Sequence, residues 1–194
     1  MRFSVQNDLY HVGFTLFLNY NILFLGRIEK YKGVDLLLDA FFEVNKKMPN
    51  INLTIAGNGN LKPYLPKIKR SEKAITVINK WLEDEEIGDL IYDCDFLVLP
   101  YIDASQSGII PLAFGCGKTV IATNVGALSE QVPENTGVVV DLDYIAISDA
   151  IISLYDNSEK IFQLGLNASK YALEELSWHK SSNDLVKFFK ENIN

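Results

Sequence analysis

The sequence predicts a doubly wound α/β fold, in which helices cover both faces of a parallel sheet. Short apolar runs alternate with longer amphipathic stretches, and this alternation implies right-handed crossovers between parallel strands. The apolar runs are nearly continuous, as is typical of strands that are buried on both faces. With 194 residues the chain is long enough for a sizeable core, and we expect one domain over residues 1–194.

Six apolar runs are predicted to be the strands of this sheet. The first two close with Gly26 and Gly57, and glycine permits a sharp turn after a strand. Because ligands of doubly wound sheets bind outside the carboxyl ends of the strands, the segments after these runs are the candidates for a site. The six runs are residues 21–26, 51–57, 74–79, 95–101, 118–123 and 137–141.

The stretches between the strands are predicted to be helices. Leu37, Phe41 and Val44 form one apolar stripe of a helix over 33–49, which a proline ends. The helix over 83–94 opens with acidic residues, which the helix dipole favours at that position. Residues 60–71 are expected to be helical or irregular, and the chain is expected to close with an extended helical C-terminus. The other helices are predicted at 108–116, 127–132, 144–156, 158–175 and 178–193.

The bulk composition excludes several classes of protein. Hydrophobic residues make up 48% of the chain and charged residues 22%, which is typical of a globular protein rather than a disordered or collagen-like one. The net charge of -7 argues against nucleic-acid binding, which requires a basic face. No apolar run reaches the roughly 18 residues of a membrane span, and the first residues lack the features of a signal peptide. We therefore expect a cytoplasmic protein.

The two cysteines indicate neither a redox centre nor a metal site. Cys94 and Cys116 both stand in apolar surroundings without CxxC spacing, which favours two buried free thiols. No cluster of residues with the spacing of metal ligands is visible in the sequence, so we expect no bound metal.

The segment after the first strand is the strongest candidate for binding phosphate. Gly26 permits a close backbone approach, and Arg27 and Lys32 are expected to project from the carboxyl edge of the sheet. An arginine can donate two hydrogen bonds to a diphosphate, and a lysine adds a compact positive charge. The alternative is a solvated basic loop that pairs with Glu29, and spacing alone leaves both interpretations open.

The segment after the fourth strand is a second candidate. Residues 103–108 are small and polar, and they lead into a helix with Pro111 in its first turn, a favoured early position. A helix start beside a glycine offers free N–H groups to an anion. Ser105 or Ser107 can instead be the N-cap of this helix, and capping is compatible with phosphate binding.

Two weaker candidates follow the second and third strands. Gly57 and Gly59 can let the backbone approach a ligand, although a plain turn explains this GxG pattern equally well. Trp81, after the third strand, either borders a base or packs on the domain surface.

These segments, in this order, resemble the group 1 glycosyltransferases, a large retaining family with a GT-B fold. The resemblance implies that this chain is the Rossmann-like C-terminal half of that fold, with 1–19 as a remnant of the interdomain linker and 176–194 as the closing helix. The blocks that carry it, over roughly residues 20–194, are GRIEKYKG (26–33), LTIAGNGN (53–60), CDFLVLPY (94–101), SGIIPLAFGCGKTVIATNVGALSE (107–130), TGVVVD (136–141) and LSWHK (176–180).

The resemblance implies a role for the charged residues and the helix start. Arg27 and Lys32 are expected to hold the donor diphosphate and to stabilise it as it leaves, which makes them the expected catalytic residues. Gly108 and Ile109, where the helix begins, are expected to face the phosphates and the donor sugar. Family members transfer a sugar from a nucleotide diphosphate with retention of configuration. They do not require a catalytic metal, and the only small molecule expected here is a UDP-, GDP- or ADP-sugar.

The resemblance also implies which residues border the rest of the donor. Trp81 and Leu82, in the loop 79–82, are expected to lie beside the base. Glu130 matches the acidic residue of the family's GGxxE segment at a helix start near the pocket, where a purely structural role is equally open. The acceptor is expected to be held by an N-terminal domain or a partner chain, and peripheral membrane association of the whole enzyme is compatible with this arrangement.

The sequence departs from the family at two glutamates. The family usually carries them with seven residues between them after the fourth strand, and the second holds the donor ribose. Asp103, Ser105 or Gln106 can substitute for that contact. The two alignment registers place Ala104 and Leu112, or Ser105 and Ala113, at the glutamate positions.

Three classes of function remain to be compared. The first is the donor-binding part of a retaining hexosyltransferase for polysaccharide or glycoconjugate synthesis, inactive by itself. The second is a non-catalytic nucleotide-sugar-binding module or a subunit of a split transferase, which the missing glutamates favour. The third, a nicotinamide-dependent enzyme, requires GxGxxG after the first strand, and GRIEKYKG does not fit that pattern.

Overall fold

The computed structural model describes residues 20–177, 180, 182 and 187–189. Its centre is a six-stranded sheet in the order β3-β2-β1-β4-β5-β6, and every neighbouring pair is parallel. The predicted doubly wound fold is therefore confirmed, and each predicted apolar run contains a strand. The strands are β1 (Tyr20–Leu25), β2 (Ile51–Ala56), β3 (Ile75–Ile78), β4 (Phe96–Leu99), β5 (Val120–Thr123) and β6 (Val138–Val140).

Helices connect the strands and cover both faces of the sheet. The segment predicted as helical or irregular, 60–71, forms 3-10 turns on either side of one short helical turn, because Pro63 and Pro66 interrupt regular helical hydrogen bonding. The helices are α1 (Val34–Lys47), α2 (Leu65–Ile68), α3 (Asp84–Asp93), α4 (Ile109–Gly115), α5 (Leu128–Gln131), α6 (Tyr144–Tyr155) and α7 (Ser158–Glu175).

The core consists of two hydrophobic clusters, one on each face of the sheet. Ile22 and Phe24 of β1 belong to the cluster under α1 and α6, whereas Leu23 and Leu25 belong to the cluster under α3 and α4. Successive residues of a strand point to opposite faces, and here both faces are covered. This arrangement explains why the strands are nearly continuous apolar runs in the sequence.

The prediction of two buried thiols is correct for Cys94 and wrong for Cys116. Cys94 is buried, and this burial raises the pKa of its thiol to about 12. Cys116 is exposed, because it caps the C-terminus of α4, where Gly117 turns the chain with a φ of 71°. The residues of α4 that face the core are Ile110, Ala113 and Phe114.

Two predictions concern the ends of the chain. The linker remnant over 1–19 lies outside the described residues, and so does most of the closing helix predicted over 178–193, including part of the LSWHK block. In the part of the chain that the structure describes, no helix is long and apolar enough to cross a membrane.

Candidate functional site

The strand order places two loops side by side at the centre of the sheet. The chain proceeds outward from β1 in one direction and from β4 in the other, so the loops 26–33 and 100–108 begin on adjacent strands. Crevices at such switch points are the usual ligand sites of doubly wound sheets. A backbone hydrogen bond joins the loops, because Ile102 N–H donates to the carbonyl oxygen of Tyr31 at 2.8 Å.

Gly33 permits the contact between these two loops. Its φ is 70°, in the left-handed region that favours glycine. A Cβ atom added at this position would lie 1.7 Å from the carbonyl oxygen of Pro100, which leaves no room for a side chain. This position therefore requires glycine. The close packing of Gly33 against Pro100 fixes the backbone beside Lys32.

Lys32 presents its positive charge at this crevice without a carboxylate partner. Its Nζ lies 3.8 Å from the ring centroid of Tyr101 and 5.2 Å from that of Tyr31. Within residues 20–177, no carboxylate forms an ion pair with it. Burial lowers the pKa of this ammonium group, nearby Arg27 lowers it further, and Glu29 opposes the shift. An anion bound here would therefore relieve an unfavourable electrostatic environment.

The position of Arg27 is compatible with both interpretations of the sequence, a solvated loop that pairs with Glu29 and a site that binds phosphate. Its guanidinium pairs with Glu29 at 3.1 Å, and its side chain is 59% exposed. Exposed ion pairs contribute only about 0–1 kcal/mol, so this pair leaves the arginine able to exchange its partner for a phosphate.

A cavity of about 510 Å³ lies beside Arg27, on the β2 side of the crevice. Arg27, Gly59 and Trp81 line it, together with Asn58 and Asn60. Trp81 is 73% exposed, so it borders an open cavity instead of packing on the domain surface.

The loop that carries Trp81 is anchored by its neighbours. Asn79 forms two 3.0 Å hydrogen bonds with the backbone of Gly59, one through each end of its side-chain amide. Leu82, predicted to border the base, instead packs against the hydrophobic cluster under α3 and α4. Contact with this cluster removes more of its apolar surface from water than an open polar cavity would.

The sequence left two interpretations of Gly57 and Gly59, a backbone that approaches a ligand and a plain turn, and the Cα atoms of both glycines pack against protein backbone. A Cβ atom would lie 2.0 Å from the carbonyl oxygen of Gly26 at the first, and 2.3 Å from that of Ile28 at the second. Their amides are also engaged, since Gly57 N–H donates to Ile78 and Gly59 N–H to Asn79. These glycines allow the loops after β1 and β2 to pack together.

Ser107 holds the start of α4 and is not a free ligand contact. It is only 3% exposed, and its Oγ accepts from Ile109 N–H at 3.3 Å while lying 3.1 Å from the Tyr101 hydroxyl. Its backbone is bound by the Gln131 side chain, which accepts at 2.7 Å and donates at 3.3 Å. The N-cap of α4 is Gly108, so neither Ser105 nor Ser107 occupies the N-cap position that the sequence offered them; Ser107, one residue earlier, instead accepts from the first amide of the helix.

The remaining predicted residues of this loop are accessible. Asp103, Ser105 and Gln106 are exposed beside α4. Gly108 is exposed too, and a Cβ atom there would meet nothing within 4 Å.

Glu130 is exposed on α5, and its neighbour Gln131 makes the contact with α4. Sequence reasoning missed both Tyr101 and Gln131. The aromatic residue two positions after the fourth strand is a visible signal for the first, and no local pattern marks the second.

The predicted site residues fall into two groups that meet at the first loop. Lys32 leads through Tyr101 to Ser107 at the start of α4, whereas Arg27 shares a cavity with Trp81. The electrostatic effect of Arg27 on the pKa of Lys32 indicates that the two cations lie near each other. No group of three or more His, Cys, Asp or Glu residues that could hold a metal ion is found among the described residues.

Comparisons with known proteins concern the sequence and the fold of this chain. The sequence model of the family described as Glycosyl transferases group 1 matches residues 19–157. A D-inositol 3-phosphate glycosyltransferase of Paenarthrobacter aurescens is 26% identical over 185 residues, which is 90% of this chain and 45% of that protein. The chain therefore spans about half the length of such relatives.

Two solved structures share the fold. The Anabaena protein HepE in complex with UDP superposes with a TM-score of 0.80 and 18% identity, over 89% of this chain and 49% of that one. The C-terminal domain of a group 1 family protein, LpcC, from Francisella tularensis superposes with a TM-score of 0.75 and 22% identity, over 82% of this chain and 87% of that one.

Proposed function

Because this chain belongs to the group 1 glycosyltransferases, we propose that it binds the nucleotide-diphosphate-sugar donor of a retaining transferase. The observation that carries the proposal is Lys32, a partly buried ammonium group at the switch point of the sheet with no carboxylate paired to it among the described residues. A diphosphate supplies the negative charge that this position lacks. Arg27, on the same loop, offers a planar pair of donors to the same group.

In this proposal the two cations act on the charge that develops in the transition state. When the bond between the anomeric carbon and the diphosphate oxygen breaks, the leaving group gains negative charge. Arg27 and Lys32 stabilise that charge more strongly than the charge of the intact donor, which is the condition for catalysis. We assign Gly108 and Ile109, at the beginning of α4, to the same phosphate group, although the Ile109 N–H already donates to Ser107 Oγ and must exchange that partner to bind an anion.

The cavity beside Arg27 supports a place for the nucleoside. Trp81 has an exposed ring on which a base can stack, which contributes to binding without selecting one base strongly. We propose Asp103, Ser105 or Gln106 as the ribose contact, because all three are exposed beside the crevice. The donor is then a UDP-, GDP- or ADP-sugar, and no further cofactor is required.

We further propose that the whole enzyme transfers a hexose during polysaccharide or glycoconjugate synthesis. The relatives that the chain matches are about twice its length, which supports an acceptor site on an N-terminal domain or a partner chain.

The donor proposal is tested by calorimetry with UDP, GDP and ADP. One charged hydrogen bond contributes about 1.5–3 kcal/mol, so we expect Arg27→Ala to weaken the tightest nucleoside diphosphate about ten- to a hundred-fold. Lys47→Ala is the matched control, because it removes one exposed positive charge at the far end of α1. Unchanged affinity in Arg27→Ala, or an equal loss in the control, contradicts the proposal.

A second candidate is a non-catalytic nucleotide-sugar-binding module or a subunit of a split transferase. The observation that favours it is the absence of carboxylates at both pairs of positions where the family carries its glutamates. Both candidates predict donor binding, so they are separated by turnover. Slow release of free sugar from a bound UDP-, GDP- or ADP-sugar, lost in Lys32→Ala, supports a transferase. Binding with no release, even after the acceptor half is added, supports the module.

A further inference from the structure

Tyr101 connects the loop of Lys32 to the start of α4, and the donor proposal above assigns it no role. It is the second residue after β4, and its side chain is fully buried. One face of the ring lies under the ammonium group of Lys32, with 3.8 Å between the Nζ and the ring centroid. The hydroxyl at the other end lies 3.1 Å from Ser107 Oγ.

Tyr101 is held at its backbone and at its hydroxyl. The hydroxyl of Thr123 donates to its carbonyl oxygen at 2.6 Å, which ties the residue to the end of β5. Burial raises the pKa of its own hydroxyl to about 12, so this group stays neutral over a wide range of pH, and either hydroxyl of the Tyr101–Ser107 pair can be the donor. The ring therefore offers a rigid surface to any group above it.

An aromatic face has a consequence for Lys32 that a carboxylate would not have. The negative face of the ring attracts the ammonium group without neutralising its charge. Arg27 gives the contrast on the same loop, because its guanidinium is already paired with Glu29. The backbone next to Lys32 is also fixed, since Gly33 packs against Pro100.

We propose that Tyr101 is the positioning residue of the anion site: its ring holds the Lys32 ammonium charged and unpaired at the crevice, and its hydroxyl links this position to the start of α4. The proposal rests on the donor-binding function only for the identity of the anion as a nucleoside diphosphate. The position of Lys32 on the ring is testable without any ligand.

The position of Lys32 is tested by NMR on the full chain. Protons above an aromatic face resonate upfield, so the Lys32 Hε signals, assigned by their loss in Lys32→Arg, are expected upfield of those of Lys47. The shift is expected to persist in Tyr101→Phe, which keeps the ring, and to disappear in Tyr101→Leu, which removes it. Ordinary Lys32 shifts in the wild type, or an unchanged shift in Tyr101→Leu, overturn the proposal.

The effect on binding is tested with UDP, GDP and ADP in the same variants. Tyr101→Leu is expected to weaken the tightest of them about five- to ten-fold, less than removal of Lys32 itself because the charge remains and only its position is lost, and Tyr101→Phe about two-fold or less. Phe96→Leu is the matched control, because it removes a fully buried ring from the amino end of β4, away from the crevice. The corresponding nucleosides, which lack phosphate, are expected to lose no affinity in Tyr101→Leu.

The outcomes separate this inference from the donor proposal. If the wild type binds a diphosphate and Tyr101→Leu weakens it no more than Phe96→Leu does, the positioning role is wrong. If the NMR shifts behave as expected and no nucleoside diphosphate binds the wild type, the donor proposal fails while the position of Lys32 on the ring is upheld.

Discussion

Two cavities of similar volume lie at opposite ends of the strands. One, of about 510 Å³, adjoins Arg27 and Trp81 at the carboxyl ends of the strands. The other, of about 570 Å³, lies at the amino ends between Tyr20, Lys118 and α7. Lys32 is not among the residues that line the first cavity, but it lies on the same loop as Arg27. The charged groups at the two ends of the strands differ in how they are paired, and this difference distinguishes a ligand site from a gap between packed elements better than volume does.

The charges at the amino ends are satisfied by the protein itself. Lys118 donates to the carbonyl oxygens of Tyr92 and Cys94 at 2.8 Å and 2.6 Å, and Asp95 accepts from Asn21 N–H at 2.7 Å. At the carboxyl ends, in contrast, Lys32 faces aromatic rings. A buried or partly buried charge without a partner costs stability, and positions of this kind concentrate at functional sites.

The comparison predicts the largest effects on stability for two glycines in similar conformations. Gly33 and Gly117 have φ values of 70° and 71°, one at each edge of the sheet. An alanine at Gly33 meets the carbonyl of Pro100 as well as the left-handed strain, and we expect a loss of about 3 kcal/mol or more. Gly117→Ala carries the strain alone, because the nearest atom, Ser169 Cβ, lies 4.0 Å away, so we expect about 1 kcal/mol.

Urea unfolding of both glycine variants measures these losses. Equal losses would mean that the contact between the loops after β1 and β4 is looser than the structure shows. The proposed crevice would then lack its rigid frame.

The second prediction contrasts the effects of removing two lysines, Lys32 and Lys118. Lys32→Ala is expected to weaken nucleoside-diphosphate binding about ten- to a hundred-fold, with little loss of stability, since this side chain has no charged partner among the described residues. Lys118→Ala is expected to leave binding unchanged and to lower the free energy of unfolding by about 1–3 kcal/mol, because two carbonyl groups lose their charged donor. Calorimetry and urea unfolding of both variants measure the two quantities. The comparison breaks if Lys118→Ala weakens binding or Lys32→Ala does not.

The fold was largely predictable because its signals are local. Each strand is a short apolar run, and the helix stripe of Leu37, Phe41 and Val44 is buried as predicted. The boundaries of α7 match the prediction at both ends. Around Pro63 and Pro66 local signals compete, so the pattern there could not decide between a helix and an irregular segment.

The candidate site was predictable only where the residue type announces its chemistry. Arg27 and Lys32 are cations after a strand, and they were recognised as such. That Tyr101 lies under Lys32, and that Gln131 instead of Glu130 binds Ser107, depends on contacts between distant parts of the chain. The glycines after β2 illustrate the same limit, because a GxG turn that packs on protein and one that admits a ligand look alike in sequence.

The smallest expected effect is a dependence on pH of diphosphate binding at Lys32, at the carboxyl ends of the strands. The pKa of Lys32 is lowered in the folded protein, chiefly by burial, from its ordinary value of 10.5. A diphosphate binds the charged ammonium, so affinity is expected to decrease as the pH rises through this lowered pKa, before an ordinary lysine would lose its proton. In the same window, up to 10.5, the unfolded chain binds more protons than the folded one, so the free energy of unfolding without ligand increases with pH.

The control for this pH dependence is Lys32→Arg, because arginine stays charged throughout the window. Titration of the nucleotide itself affects both proteins equally and cancels in the ratio of their affinities. We expect the wild type to lose affinity relative to Lys32→Arg as the pH rises, in calorimetric titrations between neutral and alkaline pH. A constant ratio would mean that the charge of Lys32 does not contribute to binding. Lys32 would then no longer distinguish the carboxyl ends of the strands from the amino ends, and the comparison of the two ends would depend on Arg27 alone.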